Sequence, residues 1–329
     1  MITAPEPALY WSIFAIFASL VAGSISRFIA LRNAEEKVRR QRLASLRTWW
    51  MLAIFISVGV LAGRLGICLL LTAASCIAWF EITRMFGARS EDRLAIRAGY
   101  GLIVINYLLI LLGSISLFSV FLPVGSLIAL AVLLLIKDEP QGYIRSAGGL
   151  LWGILFLGYG VSHAALLMIL PASSAGPLGP VGWFLFLVIL TETDDIFQAI
   201  VGRLFGAHKR HLIIPTISPN KTWEGFFGGM LVVVVLAPVI APWLTTLGQQ
   251  AGPFGLPEAL RPFVAPILAA ILISIAGFFG DINMSAIKRD SGVKDSSNFL
   301  PGTGGVIDRI DSLTMTAPVF VYFLIWWMA

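Results

Sequence analysis

The chain has 329 residues, of which 58% are hydrophobic and only 12% charged, with a formal net charge of +5 at pH 7. An ordinary soluble domain carries about 25% charged residues, and mean hydropathy here is +0.89. Soluble globular, disordered, collagenous and disulfide-stapled classes are thereby excluded, which leaves an all-α integral membrane protein, a polytopic helical bundle.

Residues 1–8 (MITAPEPA) hold no Lys or Arg. A cleavable signal peptide opens on a basic n-region, so a retained first helix is expected instead. Apolar runs predict helices over about residues 9–31, 49–63, 65–83, 99–121, 124–136, 147–170, 181–201, 226–247, 263–283 and 313–329. A span needs about 20 apolar residues. The runs 49–63 and 124–136 are short enough to be re-entrant pieces or halves of hairpins, so eight to ten transmembrane helices are expected. The basic segment 32–48 between the first two runs is predicted to be helical and to lie on anionic headgroups. Cys68 and Cys76 fall eight apart in one apolar run, a helical separation of about 12 Å. That exceeds disulfide reach, so two apolar thiols are expected.

Ten crossings sort the charges cleanly. All but three of the 23 Lys and Arg lie in segments 32–48, 84–98, 137–146, 202–225 and 284–312, the exceptions being Arg27, Arg64 and Arg261. The opposite loop 171–180 (PASSAGPLGP) has no charge. By the positive-inside rule, loops 202–225 and 284–312 face the cytoplasm and both termini face out. One integral membrane domain over 1–329 is expected, with a helical scaffold in 1–175 and a catalytic half in 176–329.

Four acids sit in or at the ends of apolar runs: Glu192, Asp194, Asp195 and Asp281. A carboxylate at mid-membrane costs about 2.5–3.5 kcal/mol on insertion scales and normally faces a polar cavity. Glu192 and Asp195, three apart, share a helix face, whereas Asp194 points elsewhere and reads as structural. After these acids comes a polar loop with Ser218, Pro219, Asn220, Lys221, Thr222, Trp223 and Glu224. Ser218 or Thr222 is expected to cap the next helix, with Pro219 near its first turn and Lys221 as a point charge for an anion. The second polar segment, 280–312, sets Asp281, Asp290, Asp295, Asp308 and Asp311 against Lys288, Arg289, Lys294 and Arg309. Its glycines Gly302, Gly304 and Gly305 permit close backbone approach to a ligand. Carboxylates hold Mg²⁺ jointly with substrate phosphates, and Lys and Arg take the remaining phosphate oxygens. That chemistry fits phosphoryl or nucleotidyl transfer. A loop of mutually satisfied salt bridges is the bland alternative.

Residues 285–311 resemble the signature of the phosphatidate cytidylyltransferases, or CDP-diacylglycerol synthases. Ser285, Lys288, Arg289, Lys294, Asp295, Pro301, Gly304, Gly305, Asp308, Arg309 and Asp311 fill that pattern. SPNKTWEGFFGG resembles a second family stretch, and Asp195 ahead of Gly202-Arg203 a third. The likeness covers about residues 190–312, the N-terminal half sharing only hydrophobicity. It implies transfer of the cytidylyl group of CTP to phosphatidate, with Asp281 and Asp308 as Mg²⁺ ligands and room for a second metal or a monovalent cation. It further implies that Lys288, Arg289, Lys294 and Arg309 neutralise phosphates. Ser218, Lys221 and Thr222 would contact phosphate or nucleotide, and Asp195, Glu224, Asp295 and Asp311 would orient bases or support the metal. Ser285, Gly304 and Gly305 would border the substrates.

Two positions depart from the family pattern. Thr303 stands where the family has His, and TETDDIFQAIVGR replaces a small-residue Asp-Ser-Gly-Ala-Tyr run. A divergent branch with another lipid phosphate acceptor, a CTP-dependent lipid kinase, an ion-coupled transporter and an inactive homologue are the alternatives. Membrane lipids are the expected surroundings and nucleic acid is not an expected partner. The N-terminal half is a candidate dimer surface, and a bacterial inner membrane is the expected location.

Overall fold

The computed structural model describes residues 7–32, 35–87, 89, 91–136, 138–171, 176–206, 211–297, 299–300 and 304–328. The fold is helical. Among the described residues the only β-type pairings are two isolated bridges, Leu212 with Thr222 and Leu300 with Gly304. In chain order the helices are α1 (Pro7–Ala30), α2 (Glu36–Leu61), α3 (Gly63–Met85), α4 (Arg93–Leu111) and α5 (Ile115–Leu135). The sixth crossing runs from α6 (Tyr143–Gly153) through a π-helical stretch (Ile154–Gly160) into α7 (Val161–Leu166). Then come α8 (Gly179–Phe205), α9 (Trp223–Leu244), α10 (Arg261–Asp290), the single turn α11 (Ile307–Ile310) and α12 (Leu313–Met328).

Among the described residues nine helical stretches are long and apolar enough to cross a membrane. α8 is a tenth by length, at 27 residues, but carries Glu192, Asp194, Asp195 and Arg203. The polytopic all-α bundle expected from composition is therefore observed, at the upper end of the expected count.

Several boundaries differ from the sequence expectation. The run 263–283 continues as helix to Asp290, so Lys288 and Arg289 stand on the last turn of α10 and not in a loop 284–312. The short run 49–63 is not re-entrant: the basic residues before it continue the same helix, so α2 spans Glu36–Leu61. The run 99–121 is two helices. α4 ends at Leu111, Gly113 takes a positive φ of 76°, and α5 starts at Ile115. Pro123 sits inside α5 and not in a break between runs 99–121 and 124–136, because hydrophobicity continues through it. Pro219 lies in the turn before α9, whose N-cap is Thr222, with its hydroxyl accepting from the Gly225 N–H at 3.1 Å. Both cysteines are free thiols.

Cross-loop contacts agree with ten crossings. Arg89, after α3, pairs with Asp92 and reaches the Gln141 carbonyl after α5. Arg289, at the end of α10, donates to the Ile217 carbonyl before α9. On the opposite side Gly176 packs on Thr245, and Gly252 on Trp327 near the C-terminal end of α12. Alternate loops thus gather at alternate ends of the bundle.

The tightest packing is between α8 and α9. Gly225 and Gly229, one helical turn apart, put α9's backbone directly on α8. A Cβ on Gly229 would stand 2.8 Å from the Asp194 carboxylate and 2.9 Å from its carbonyl. Small residues at this spacing let helices approach closely in lipid.

Candidate active site

Helix length locates the acids. At 1.5 Å per residue, Asp195 lies about 24 Å along α8 and Asp281 about 30 Å along α10. The hydrocarbon core is about 30 Å thick, so both sit near its polar boundary, at the end bearing loops 206–222 and 291–306.

Lys221, one residue before the Thr222 cap, is the hub. Its Nζ pairs with Asp281 Oδ2 at 2.7 Å, donates to Gln198 Oε1 at 2.9 Å and lies 5.5 Å from the Phe278 ring centre. Burial pulls the Lys221 ammonium down, but Asp281, Asp195 and Asp311 together hold it above the ordinary lysine range. Three carboxylates from α8, α10 and the α11–α12 junction therefore converge on one cation. Ser285 Oγ donates to Asp281 Oδ1 at 3.3 Å, one turn further along α10.

The acids of α8 divide as their spacing implies. Asp194 is buried, 1% exposed, and both its oxygens are occupied, by Ser274 Oγ at 3.0 Å and Gln198 Nε2 at 2.7 Å. It joins α8 to α10. Asp195 turns toward the charged cluster. Its Oδ2 accepts from Ser312 Oγ at 2.7 Å, and its Oδ1 is buried without a hydrogen-bond partner. Glu192 shares that side of α8, within electrostatic reach of Asp195 and Arg309.

A second cluster centres on Asp308, at the start of α11. Its Oδ1 pairs with Lys288 Nζ at 2.7 Å. Its Oδ2 accepts from the Ser296 N–H at 3.1 Å, Ser296 Oγ at 3.0 Å and the Gly305 N–H at 2.9 Å. Gly304 has φ +90°, a region that favours glycine, and its carbonyl accepts from the Leu300 N–H at 2.8 Å.

Other expected site residues hold different posts. Arg289 donates to the carbonyls of Ile217 and Val293, tying the two polar loops together. Lys294 and Asp295 are exposed on the loop surface. Arg309 lies 5.9 Å from the Trp49 ring centre. Ser218 is half-buried in a turn closed by the Lys221 N–H donating to its carbonyl. Glu224 bonds His211 Nδ1 at 2.5 Å through one oxygen, and its other oxygen is buried without a partner. Thr303, Pro301 and Gly302 lie outside the described residues.

Sequence reasoning missed Glu81. It lies four residues before the end of α3 (Met85), in the half expected to be scaffold, yet it is 2% exposed and bonded to the signature loop. Its faint signal was an acid at the end of an apolar run with Arg84 three residues on, the pattern of a solvated pair. Arg84 in fact stacks on Phe80, leaving Glu81 turned inward.

Carboxylate oxygens are the donors that a hard divalent cation takes. Among the described residues no group of three or more acids, histidines or cysteines is arranged to enclose a metal unaided. Mg²⁺, however, is usually held by one or two carboxylates together with substrate phosphates. Asp281 beside the unpartnered Asp195 Oδ1, with Asp308 at the adjoining cluster, supplies such oxygens.

The other face of α10 is apolar. A cavity of about 840 Å³ opens there, between the π-helical stretch, α10 and α12. Its walls include Phe156, Tyr159, Ile275, Phe279, Ala286 and Pro318. Ile282 and Asn283, which also line it, directly follow Asp281 in the chain.

A family model described as the cytidylyltransferase family matches residues 43–327. "Uncharacterized protein YnbB" of Escherichia coli (strain K12) is 36% identical over 314 residues, 95% of this chain and 97% of its own. A phosphatidate cytidylyltransferase of Haemophilus influenzae is 39% identical over 141 residues, 42% of this chain and 44% of its own. One of Chlamydia pneumoniae is 32% identical over 190 residues, 58% of each chain. The matches to these two enzymes thus span about half of their lengths.

Proposed function

The chain belongs to the cytidylyltransferase family, CTP-dependent nucleotidyltransferases, and from that premise we propose that it joins CTP to phosphatidate. The products would be CDP-diacylglycerol, retained in the membrane, and diphosphate. The observation that carries this reading is the two-faced α10. One face bears Asp281 and Lys288, and the other lines the apolar cavity. A substrate with a phosphate head and acyl tails matches both faces at once. The phosphatidate cytidylyltransferase names of the relatives support the same acceptor.

In the proposed reaction a phosphate oxygen of phosphatidate attacks the α-phosphorus of CTP. A new P–O bond forms as the bond to the β-phosphate oxygen breaks, and diphosphate carries off the electron pair. No covalent enzyme intermediate is required. Asp281 and Asp308 would hold Mg²⁺ with the substrate phosphates, and Asp195 would support them. The ion would supply charge neutralisation to the departing diphosphate. Lys221 and Lys288, each 2.7 Å from an acid, would share their N–H donors with the phosphates. Arg289, through its loop-to-loop bonds, would hold the nucleotide side closed over the site. Catalysis would be mostly positioning and electrostatic stabilisation. Since CTP is aqueous, the charged end would face the cytoplasm, in a bacterial inner membrane.

The test is turnover of CTP by the purified full chain in detergent with phosphatidate and Mg²⁺, with analysis of the lipid product. CDP-diacylglycerol from the wild type, with loss of at least about 100-fold in Asp281→Asn and Asp308→Asn, is expected. Ala286→Trp, filling the cavity, should raise KM for phosphatidate and leave KM for CTP within about twofold. Folded wild-type protein that makes no CDP-diacylglycerol, under conditions where an active homologue does, would exclude phosphatidate. A phosphorylated lipid with CDP would point to the kinase. The divergent TETDD stretch favours one second reading, another lipid phosphate as acceptor, and the same product analysis decides it.

A further inference from the structure

Glu81 is a buried acid that neither the proposed chemistry nor the signature uses. It reaches from α3, in the N-terminal half, into the loop that carries Asp308. Its Oε1 accepts from Ser297 Oγ at 2.6 Å and the Val306 N–H at 3.0 Å. Its Oε2 accepts from Ser296 Oγ at 3.1 Å and the Ile307 N–H at 2.9 Å. Four donors from one twelve-residue stretch thus meet a single carboxylate. The exposed charges just before that stretch, Lys294 and Asp295, lie outside this set.

The bonds fix two ends of the loop at once. Val306 and Ile307 begin α11, so Glu81 satisfies N–H groups of the turn that presents Asp308. Ser296 and Ser297 follow Asp295 on the outgoing limb. Ser296 Oγ stands between Glu81 Oε2, at 3.1 Å, and Asp308 Oδ2, at 3.0 Å, with one proton to donate. The two acids therefore compete for that hydroxyl. When Asp308 turns to a ligand, Ser296 still has an acceptor, and the loop keeps its shape.

We propose that Glu81 is a positioning residue: it clamps residues 296–307 so that Asp308 and the Gly304-Gly305 turn are preset for the substrate phosphates. The clamp rests on the cytidylyltransfer reading only for its kinetic consequence. The loop-ordering itself is independent of the substrate. It also gives the scaffold half a direct part in the site, through a side chain outside the 285–311 segment. Glu81→Gln keeps size but turns an NH₂ toward one backbone N–H and one Ser hydroxyl; the backbone bond is lost, while the hydroxyl can reverse and accept.

The experiment uses the full chain in nanodiscs, comparing wild type, Glu81→Gln and Ser297→Ala by hydrogen–deuterium exchange, thermal unfolding and steady-state kinetics. In Glu81→Gln the amides of 304–307 should exchange at least about tenfold faster, with α8, α9 and α10 unchanged. kcat should fall by about 10- to 100-fold, while KM for CTP stays within about threefold. Ser297→Ala keeps the carboxylate and removes one donor. It should move exchange and kcat the same way by about threefold, and it carries the test if Glu81→Gln does not fold. Unchanged exchange at 304–307 would overturn the proposal. So would faster exchange through the whole bundle, which would make Glu81 merely fold-supporting. If wild type makes no cytidylylated lipid, the function reading fails, and the exchange result alone decides the clamp.

Discussion

Lys221 shows why single charges dominate this site. An ammonium near the edge of the hydrocarbon is held by Asp281 at 2.7 Å, with Asp195 and Asp311 behind it. Because these acids raise its folded pKa, its stabilising contribution is fully present below the ordinary lysine value of about 10.4. It is lost only as pH rises through the higher folded value. Lys221→Met should therefore flatten the alkaline limb of a thermal-unfolding pH series above about pH 10. At pH 7 it should cost about 2 kcal/mol, since Asp281 loses its partner while half-buried. Equal slopes for variant and wild type above pH 10 would show that the pair does not hold the fold. Asp92 gives the opposite sign at the same scale. Burial pushes its carboxyl up, but the bonds from Arg89 and Ser146 outweigh that and leave it below the usual carboxylate range. Its contribution is present above the unfolded value of about 3.9 and lost as pH falls through the folded one. Asp92→Asn should thus cost about 1 kcal/mol at neutral pH and nothing well below pH 3, read from unfolding midpoints across pH 2–7.

At the scale of elements, α8 and α9 act as one unit. Gly225 and Gly229 let Gln198 and Asp194 stand against the α9 backbone, and Gln198 in turn orients Lys221. Gly229→Val should force the helices apart and break the Gln198–Asp194–Ser274 chain. We expect a loss of about 2–3 kcal/mol and a parallel fall in turnover. A variant of wild-type stability and rate would mean that the hairpin tolerates separation. Elements also show what the sequence made legible. Acids inside apolar runs are conspicuous, so Glu192, Asp194, Asp195 and Asp281 could be picked out, and the i, i+3 spacing separated Asp194 from Asp195. Element boundaries were blurred where hydrophobicity ran on through Gly113 and Pro123. Glu81 was illegible for another reason. Its role lies in donors more than 200 residues away along the chain, and no local spacing encodes such a partner. The posts of Arg289 and Lys294 were illegible too, because a basic residue in a loop reads the same whether it meets phosphate, carbonyl or water.

The whole molecule is organised by sidedness. Among the described residues, the ends of α3, α8 and α10, with the loops before α9 and α11, come to one face of the bundle. The polar segments that meet there carry most of the chain's Lys and Arg, and under the proposed function the positive-inside bias would turn that face to the cytoplasm. Without α8 as a crossing, the end of α3 and the loop after α10 would fall on opposite faces, yet Glu81 bonds that loop directly. Sidedness is testable in a background with Cys68→Ser and Cys76→Ser, using one new cysteine at a time. Lys294→Cys, on the exposed signature loop, should react with a membrane-impermeant maleimide only in inside-out vesicles. Phe254→Cys, exposed at the other end beside Trp326 and Trp327, should react only in right-side-out vesicles. Reversed labelling would turn the charged site away from its CTP supply, and the proposed reaction would fail on topology before any kinetic measurement.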